Sequence, residues 1–301
     1  MRYPFKHICE YAVLRTLAAF LNALPYRCAL AAAWLVARFA FHVLRFRRRE
    51  TFRRIRLVFG KETPARRVRE IAWLSLRNTT FNAVEMMRAP KIDRAWVDRH
   101  IPRFAEEIPV VQELVERHKG AVITVPHMGN WDLAGWACAC HGIKMFSVAT
   151  RQRNELIDRW INRQRECGMT ILERGHGAML QIMRRLRTGH VLAILPDVRV
   201  PTPDLAIPFL GGEANIGRGM AMFAISAKVP IVQAVFRRVG WTQHAFTRYP
   251  TIYPDPALSK EEDALRITRA VLETVDRAIR DMPEQWFWYN KRWILFPVKK
   301  G

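Results

Sequence analysis

The sequence predicts an α/β fold, a mostly parallel or mixed central sheet flanked by helices, with a helical, membrane-associated amino-terminal region. Three observations carry that expectation. From about residue 119, short β-branched runs alternate with segments of helical period, the pattern of a sheet covered on both faces. Ahead of them lie apolar stretches interrupted by single arginines. Half of the 301 residues are hydrophobic and only 15 are Gly and 17 Pro, which excludes disorder and low complexity and leaves ample material for a core.

The first apolar run, Tyr11 to Leu24, contains Arg15 and so lacks the uncharged centre of a secretory signal. The second, Cys28 to Leu44, contains Arg38 and is shorter than the roughly 20 apolar residues a membrane span needs. Broken at Pro25, the two runs read as helices that sink into one leaflet while their arginines snorkel to the headgroups. Arg45-Phe46-Arg47-Arg48-Arg49 and Arg53-Arg54-Ile55-Arg56 follow directly. Each such cation near an anionic leaflet contributes on the order of 1 kcal/mol. Residues 1–60 are therefore expected to anchor the chain, and residues 61–301 to form one domain. Within that domain, 61–118 is expected to be helical and 119–301 to be an α/β body.

Glu62-Thr63-Pro64 is a helix entry with Thr63 as cap, and the helix continues to about Met87. A second helical stretch spans Phe104–His118. Gly120 to Pro126 is a buried strand by composition, and Met145–Ala149, Val191–Leu195, Pro230–Phe236 and Gln243–Thr251 read as further strands. Helices are expected at Asn154–Cys167, Gly177–Arg187, Asn215–Ala227 and Ser259–Arg280. The last has a serine cap and an acidic first turn.

Forty-nine Lys and Arg against 27 Asp and Glu give a net charge of +22, which calls for an anionic partner. The five cysteines contain no Cys-x-x-Cys pair, so neither a disulfide framework nor a metal site is expected. Reduced cysteines in a cytosol-facing protein are the plain reading.

The chemistry concentrates after the first strand, in His127-Met128-Gly129-Asn130-Trp131-Asp132. Catalytic groups of α/β sheets sit at the carboxyl ends of strands. His127 is the expected general base, and Asp132, five residues on at a helix start, the expected acid that fixes its tautomer. None of the four serines stands in a Gly-x-Ser-x-Gly elbow, and no metalloprotease motif, phosphate loop or dinucleotide fingerprint occurs. A base without its own nucleophile suits direct transfer of an acyl group to an acceptor hydroxyl. Backbone N–H groups near Gly129 and Asn130 are the expected donors to the oxyanion. Phe209, Leu210, Met220, Met222 and Phe223 are candidates for an acyl slot.

His127 to Asp132 resembles the His-x4-Asp/Glu signature of the glycerolipid acyltransferase superfamily. More specifically, the chain resembles the lipid A biosynthesis lauroyl/myristoyl acyltransferase family. The likeness extends over Arg151-Gln152-Arg153-Asn154, Arg174-Gly175-His176-Gly177, Leu195-Pro196-Asp197-Val198-Arg199, Ile207-Pro208-Phe209-Leu210-Gly211 and Pro283 to Trp293.

The resemblance implies a glycerolipid acyltransferase-like fold. It also implies acyl transfer from an acyl carrier protein or coenzyme A thioester to a hydroxyl of a membrane glycolipid, with no further cofactor. The implied place is the cytoplasmic face of a bacterial inner membrane, in a peripheral or monotopic mode. His127 and Asp132 become the catalytic pair. Arg151 or Arg153 would hold phosphate or donor groups, Asp197 and Arg199 would line the acceptor pocket, and Asn154, Arg174 and Phe209 are further expected substrate-binding residues. The implied partners are acyl carrier protein, a lipid acceptor and an anionic membrane surface. The dyad acid is Asp132, as in relatives acting on lipids other than lipid A. A lipid hydrolase using the same dyad with water is the rival enzyme reading. A basic nucleic-acid-binding protein is the rival non-enzyme reading, disfavoured because no recognition motif appears and the basic cluster follows an apolar run.

Overall fold

The computed structural model describes residues 3–149, 151–173, 175 and 177–295. Two helices open the chain, α1 (Phe5–Ala23) and α2 (Tyr26–His42), broken at Pro25 as expected. The basic stretch after them forms a helix the sequence had not announced, α3 (Arg48–Phe59), because Ile55 and Val58 share one face that is buried. Helix α4 (Ala65–Met87) is capped by Pro64, one residue later than expected. A short α5 (Arg94–His100), capped by Asp93, precedes α6 (Phe104–His118), which matches its expected bounds.

The body alternates β1 (Gly120–Thr124), α7 (Trp131–Cys140), β2 (Met145–Ala149), α8 (Glu155–Arg165), β3 (Thr170–Glu173), α9 (Ala178–Leu186) and β4 (His190–Ile194). Then come β5 (Leu205–Phe209), β6 (Gly212–Ile216), α10 (Gly219–Ala227), β7 (Ile231–Val239), β8 (Gln243–Ile252) and α11 (Lys260–Asp281). The sheet order is β3-β2-β4-β1-β7-β8, parallel except for β8, which runs back antiparallel along β7. The mixed sheet flanked by helices is thus as expected.

The body departs from expectation at β3 and around the β5–β6 hairpin. β3 is short, with one of its four residues buried, and carries little periodicity. Asn215 and Ile216 belong to the hairpin β5–β6 instead of a helix, and α10 starts at Gly219. The hairpin turns at Leu210 and Gly211, both at positive φ, a two-residue turn whose leucine masks it in the sequence. Leu210 accepts that conformation because its side chain is fully buried and its N–H donates to the Asp276 carboxylate.

Each face of the sheet has its own apolar layer. One joins Val122, Phe146, Leu192 and Ile231 to α4, α9, α10 and α11. The other joins Ala121, Ile123, Met145 and Val232 to α6 and α7. Helices α1 and α2 pack on α4 through Leu21, Leu30 and Phe81 while leaving Phe5, Phe20, Leu35 and Phe39 more than half exposed. Among the described residues no helix is long and apolar enough to cross a membrane. Trp286, Trp288 and Trp293 of the carboxyl-terminal segment are buried against the first layer.

Candidate active site

Strands β1 and β4 are neighbours in parallel register, with Thr124 opposite Ile194. Each continues into a similar turn, Val125-Pro126-His127 from one and Leu195-Pro196-Asp197 from the other. Three residues past each strand end, the two turns therefore bring an imidazole and a carboxylate together. His127 Nδ1 lies 2.8 Å from Asp197 Oδ1, and the His127 backbone N–H donates to Asp197 Oδ2 at 2.8 Å. The Trp286 indole N–H donates to the same Oδ2 at 2.7 Å. Burial acts to raise the pKa of the Asp197 carboxyl, but the His127 ring and these donors outweigh it and hold the group below its usual range. A carboxylate at Nδ1 selects the Nδ1–H tautomer and leaves Nε2 as a lone-pair base. Among the described residues Nε2 has no partner.

The carboxyl-terminal segment builds the back wall. Phe287 N–H donates to the His127 carbonyl at 2.9 Å, and Ser75 of α4 donates to the Trp286 carbonyl at 2.6 Å. Arg54 of α3 donates to the Trp288 and Asn290 carbonyls. The two amino-terminal helices α3 and α4 thereby fix the tryptophan that fixes the acid.

In front of the ring lies a cavity of about 1570 Å³. Phe104, Ile108 and Val111 of α6 line it on one side of the sheet, and Ile182, Met220 and Phe223 line it on the other. His127, with a side chain 15% exposed, lies on its wall, and Trp131 stands edge-on to the imidazole with centroids 4.9 Å apart. Glu107, Asp132, Asp204 and six basic residues also line it; Arg165, Arg218 and Arg248 pair with those acids, while Arg47, Lys291 and Arg292 have no acidic partner among the described residues and give the apolar interior a basic rim.

The structure redistributes the roles expected from sequence. Asp132 lines the cavity, but its carboxylate takes Arg165 of α8 at 2.9 Å, and the acid that holds His127 is Asp197. Adjacency in sequence misled because α7 starts at Trp131, and its first turn directs Asp132 toward α8. Asp197, expected to line the acceptor pocket, does not line the cavity: its side chain is wholly buried behind the ring.

Gly129 N–H is not a free oxyanion donor, since it donates to the Gln285 carbonyl at 3.0 Å. Gly129 is nonetheless required as glycine. Its φ is +54°, and a Cβ would stand 2.4 Å from the Phe236 carbonyl. Asn130 is the cap of α7, accepting from Leu133 N–H. The remaining first-turn N–H groups of α7, on Trp131 and Asp132, have no intrahelical partner.

Asn154 caps α8 and donates to the His7 carbonyl and to Glu10 of α1, so it ties two helices together outside the cavity. Arg151 is exposed and paired with Glu173, Arg153 is exposed, and Arg199 is half-buried; none of the three lines the cavity, whereas Gln152 does. Phe209 is core, packed on Trp286, and Leu210 is core as well. Of the expected acyl slot, Met220, Met222 and Phe223 line the cavity. Arg174 and His176 lie outside the described residues.

Behind the His127 turn is a second polar cluster that sequence reasoning missed. Glu85 of α4 receives Arg238 of β7 at 2.6 Å, Asn130 at 2.6 Å, His244 at 3.3 Å, and the Tyr26 hydroxyl of α2. Asn82 donates to the Gly129 carbonyl and accepts from Arg238. Burial opposes the Glu85 charge, yet Arg238 and His244 keep its pKa far below the usual carboxylate range. No spacing signal exists for this cluster, which collects Asn82 and Glu85 from α4, one residue each from α2, β7 and β8, and Asn130 from the turn that caps α7.

Comparison with known proteins matches residues 2–294 to the family model described as bacterial lipid A biosynthesis acyltransferase. Two similar curated proteins are phosphatidylinositol mannoside acyltransferases. The one from Mycobacterium tuberculosis is 24% identical over 217 residues, covering 70% of this chain and 66% of the relative, just under two thirds of its length. The one from Mycolicibacterium smegmatis is 24% identical over 222 residues, covering 70% of this chain and 68% of the relative.

Proposed function

Because this chain belongs to the bacterial lipid A biosynthesis acyltransferase family, we propose that it moves a fatty acyl group from a carrier thioester to a hydroxyl of an anionic membrane glycolipid. The observation that carries this reading is the His127 ring, held at Nδ1 by Asp197 and presenting Nε2 to a large apolar cavity with a basic rim.

In the proposed reaction Nε2 takes the proton of the acceptor hydroxyl as its oxygen bonds to the thioester carbonyl carbon. The tetrahedral oxyanion is met by the first-turn N–H groups of Trp131 and Asp132 at the positive end of α7. Collapse breaks the carbon–sulfur bond, and the imidazolium returns its proton to the departing thiolate. Asp197 stays ionised throughout and stabilises the imidazolium. No acyl group is attached to the protein along this path. Acyl carrier protein is the proposed donor, since an acidic carrier is steered to a chain of charge +22; coenzyme A has the same thioester chemistry.

The relatives' names indicate a phosphorylated, sugar-bearing lipid as acceptor, and the rim cations Arg47, Lys291 and Arg292 suit an anionic headgroup. Exposed apolar residues of α1 and α2 beside Arg45 and Arg49 support a peripheral place on an anionic leaflet, proposed to be the cytoplasmic face of the inner membrane.

The test uses the purified full chain, palmitoyl thioesters of carrier protein or coenzyme A, and a phosphoglycolipid extract, read by mass spectrometry. A lipid gaining one acyl increment, with free thiol released in equal amount, is the expected result. Equal release of free fatty acid with and without lipid would make the protein a hydrolase. A fatty ester recovered on one of its side chains would overturn the direct-transfer scheme.

A further inference from the structure

We infer that the first turn of α9, together with Phe46, is a second bilayer contact that seats the cavity mouth on an anionic leaflet. The inference rests on the membrane reading above and extends it to a different part of the fold. Helix α9 follows β3 and therefore begins at the carboxyl end of the parallel strands, the end on which the cavity opens. Its buried side is Ile182 and Leu186. Its first turn instead turns two large apolar side chains outward, Met179 at 61% and Leu180 at 74% exposure. Monomeric proteins scatter single apolar residues over their surfaces, but adjacent ones at a cavity mouth mark a contact.

Phe46, half exposed in the turn between α2 and α3, lines the same cavity as Met179. One face of Phe46 stacks on Tyr289, with centroids 6.2 Å apart, while half of its surface stays exposed.

Charge selects the occupant. Arg45, Arg49, Arg153, Lys291 and Arg292 are exposed, Lys291 and Arg292 line the cavity itself, and among the described residues none of the five has an acidic partner. A soluble protein partner would need shape complementarity over an extended surface. Exposed apolar side chains and unpaired cations at one cavity match instead a bilayer, into which apolar groups insert while cations meet lipid phosphates. Such seating lets a lipid acceptor reach His127 without leaving the leaflet, and places Met179 where an acyl chain would pass from bilayer to cavity.

The experiment measures partitioning of the full chain onto vesicles of phosphatidylcholine mixed with phosphatidylglycerol, and onto phosphatidylcholine alone. Met179→Asp/Leu180→Asp is expected to weaken binding to the anionic vesicles by about tenfold or more, with an unchanged melting temperature. The uncharged pair Met179→Gln/Leu180→Gln is expected to lose binding to a smaller but measurable extent. Tyr253→Asp/Leu258→Asp, at exposed positions near the opposite end of the sheet, is expected to change binding less than about twofold, because those residues stay in water. Wild-type binding by both α9 pairs would overturn the inference while the membrane reading stands. Failure of the unaltered chain to bind either vesicle would overturn the membrane reading and this inference with it.

Discussion

Two buried carboxylates in this molecule each hold a histidine, and their surroundings differ in one decisive respect. Asp197 holds His127 with one indole and one backbone N–H in support, and the imidazole's other nitrogen opens on a cavity. Glu85 holds His244 alongside Arg238, Tyr26 and Asn130, and the side chains of Glu85, Arg238 and His244 are at most 1% exposed. The first pair has a single acid, a single base and a route to the outside. The second has a full-time cation that neutralises its acid, and no cavity lining among its members. Burial holds His244 below the ordinary imidazole range, with Glu85 only partly opposing it. Possessing a histidine and an acid is therefore not what distinguishes a candidate catalytic pair. Access, and the absence of a competing cation, distinguish it.

The largest expected effect is on turnover at the open pair. His127→Ala removes the base and is expected to lower acyl transfer by about 10²–10⁴-fold, with a nearly unchanged melting temperature. Asp197→Asn keeps the shape but permits the wrong tautomer, and a loss of similar size is expected. Near-normal turnover in either variant breaks the contrast, because the open pair would then be as inert as the sealed one.

The sealed pair is expected to answer in stability instead. Glu85→Ala leaves the Arg238 guanidinium buried without its counter-ion, a cost of about 3–5 kcal/mol. Denaturant midpoints would read it. A stable Glu85→Gln protein with turnover lost as completely as in His127→Ala would move this cluster into the chemistry. The pH dependence separates the pairs again. His100, His190 and His244 are all lowered, first of all by burial, so their unfolded forms bind protons more readily than their folded forms. Their contribution to stability is complete above the unfolded imidazole value of about 6.5 and declines as pH falls below it. His244→Gln is expected to flatten the fall in melting temperature between about pH 7 and pH 5, and an unchanged slope would assign that fall to other groups.

The same contrast explains what the sequence could and could not disclose. Periodicity gave the helical amino terminus, α6, α11 and most sheet strands, because burial of one face leaves a local record. His127 was legible because a histidine at a strand end is conspicuous. Its acid was not, since the candidate nearest in sequence, Asp132, is turned by the first helical turn toward Arg165. A signal for Asp197 did exist. Two strands each end in an apolar residue, a proline and then a titratable residue, and strands with matching exits are candidates to be neighbours in register. Nothing comparable marks Trp286 or Glu85. Trp286 reaches Asp197 across 89 residues of chain, and Glu85 joins Arg238 across 153. Such contacts exist only after the layers have packed.

Asp132 supplies the smallest test and the one that most sharpens the assignment. If Asp132 were the acid that orients His127, Asp132→Asn would match Asp197→Asn in its loss. The geometry gives it a different job, an ion pair with Arg165 on the cavity wall, the two side chains 15% and 26% exposed. Pairs of that exposure contribute about 1 kcal/mol or less once solvent screening is counted. That corresponds to less than about tenfold in rate. The expected outcome is therefore a modest fall, with much of it in the apparent KM for the anionic acceptor, because a released Arg165 is free to take other partners. An Asp132→Asn loss as deep as that of Asp197→Asn, confined to kcat, would return Asp132 to the role its spacing from His127 suggested.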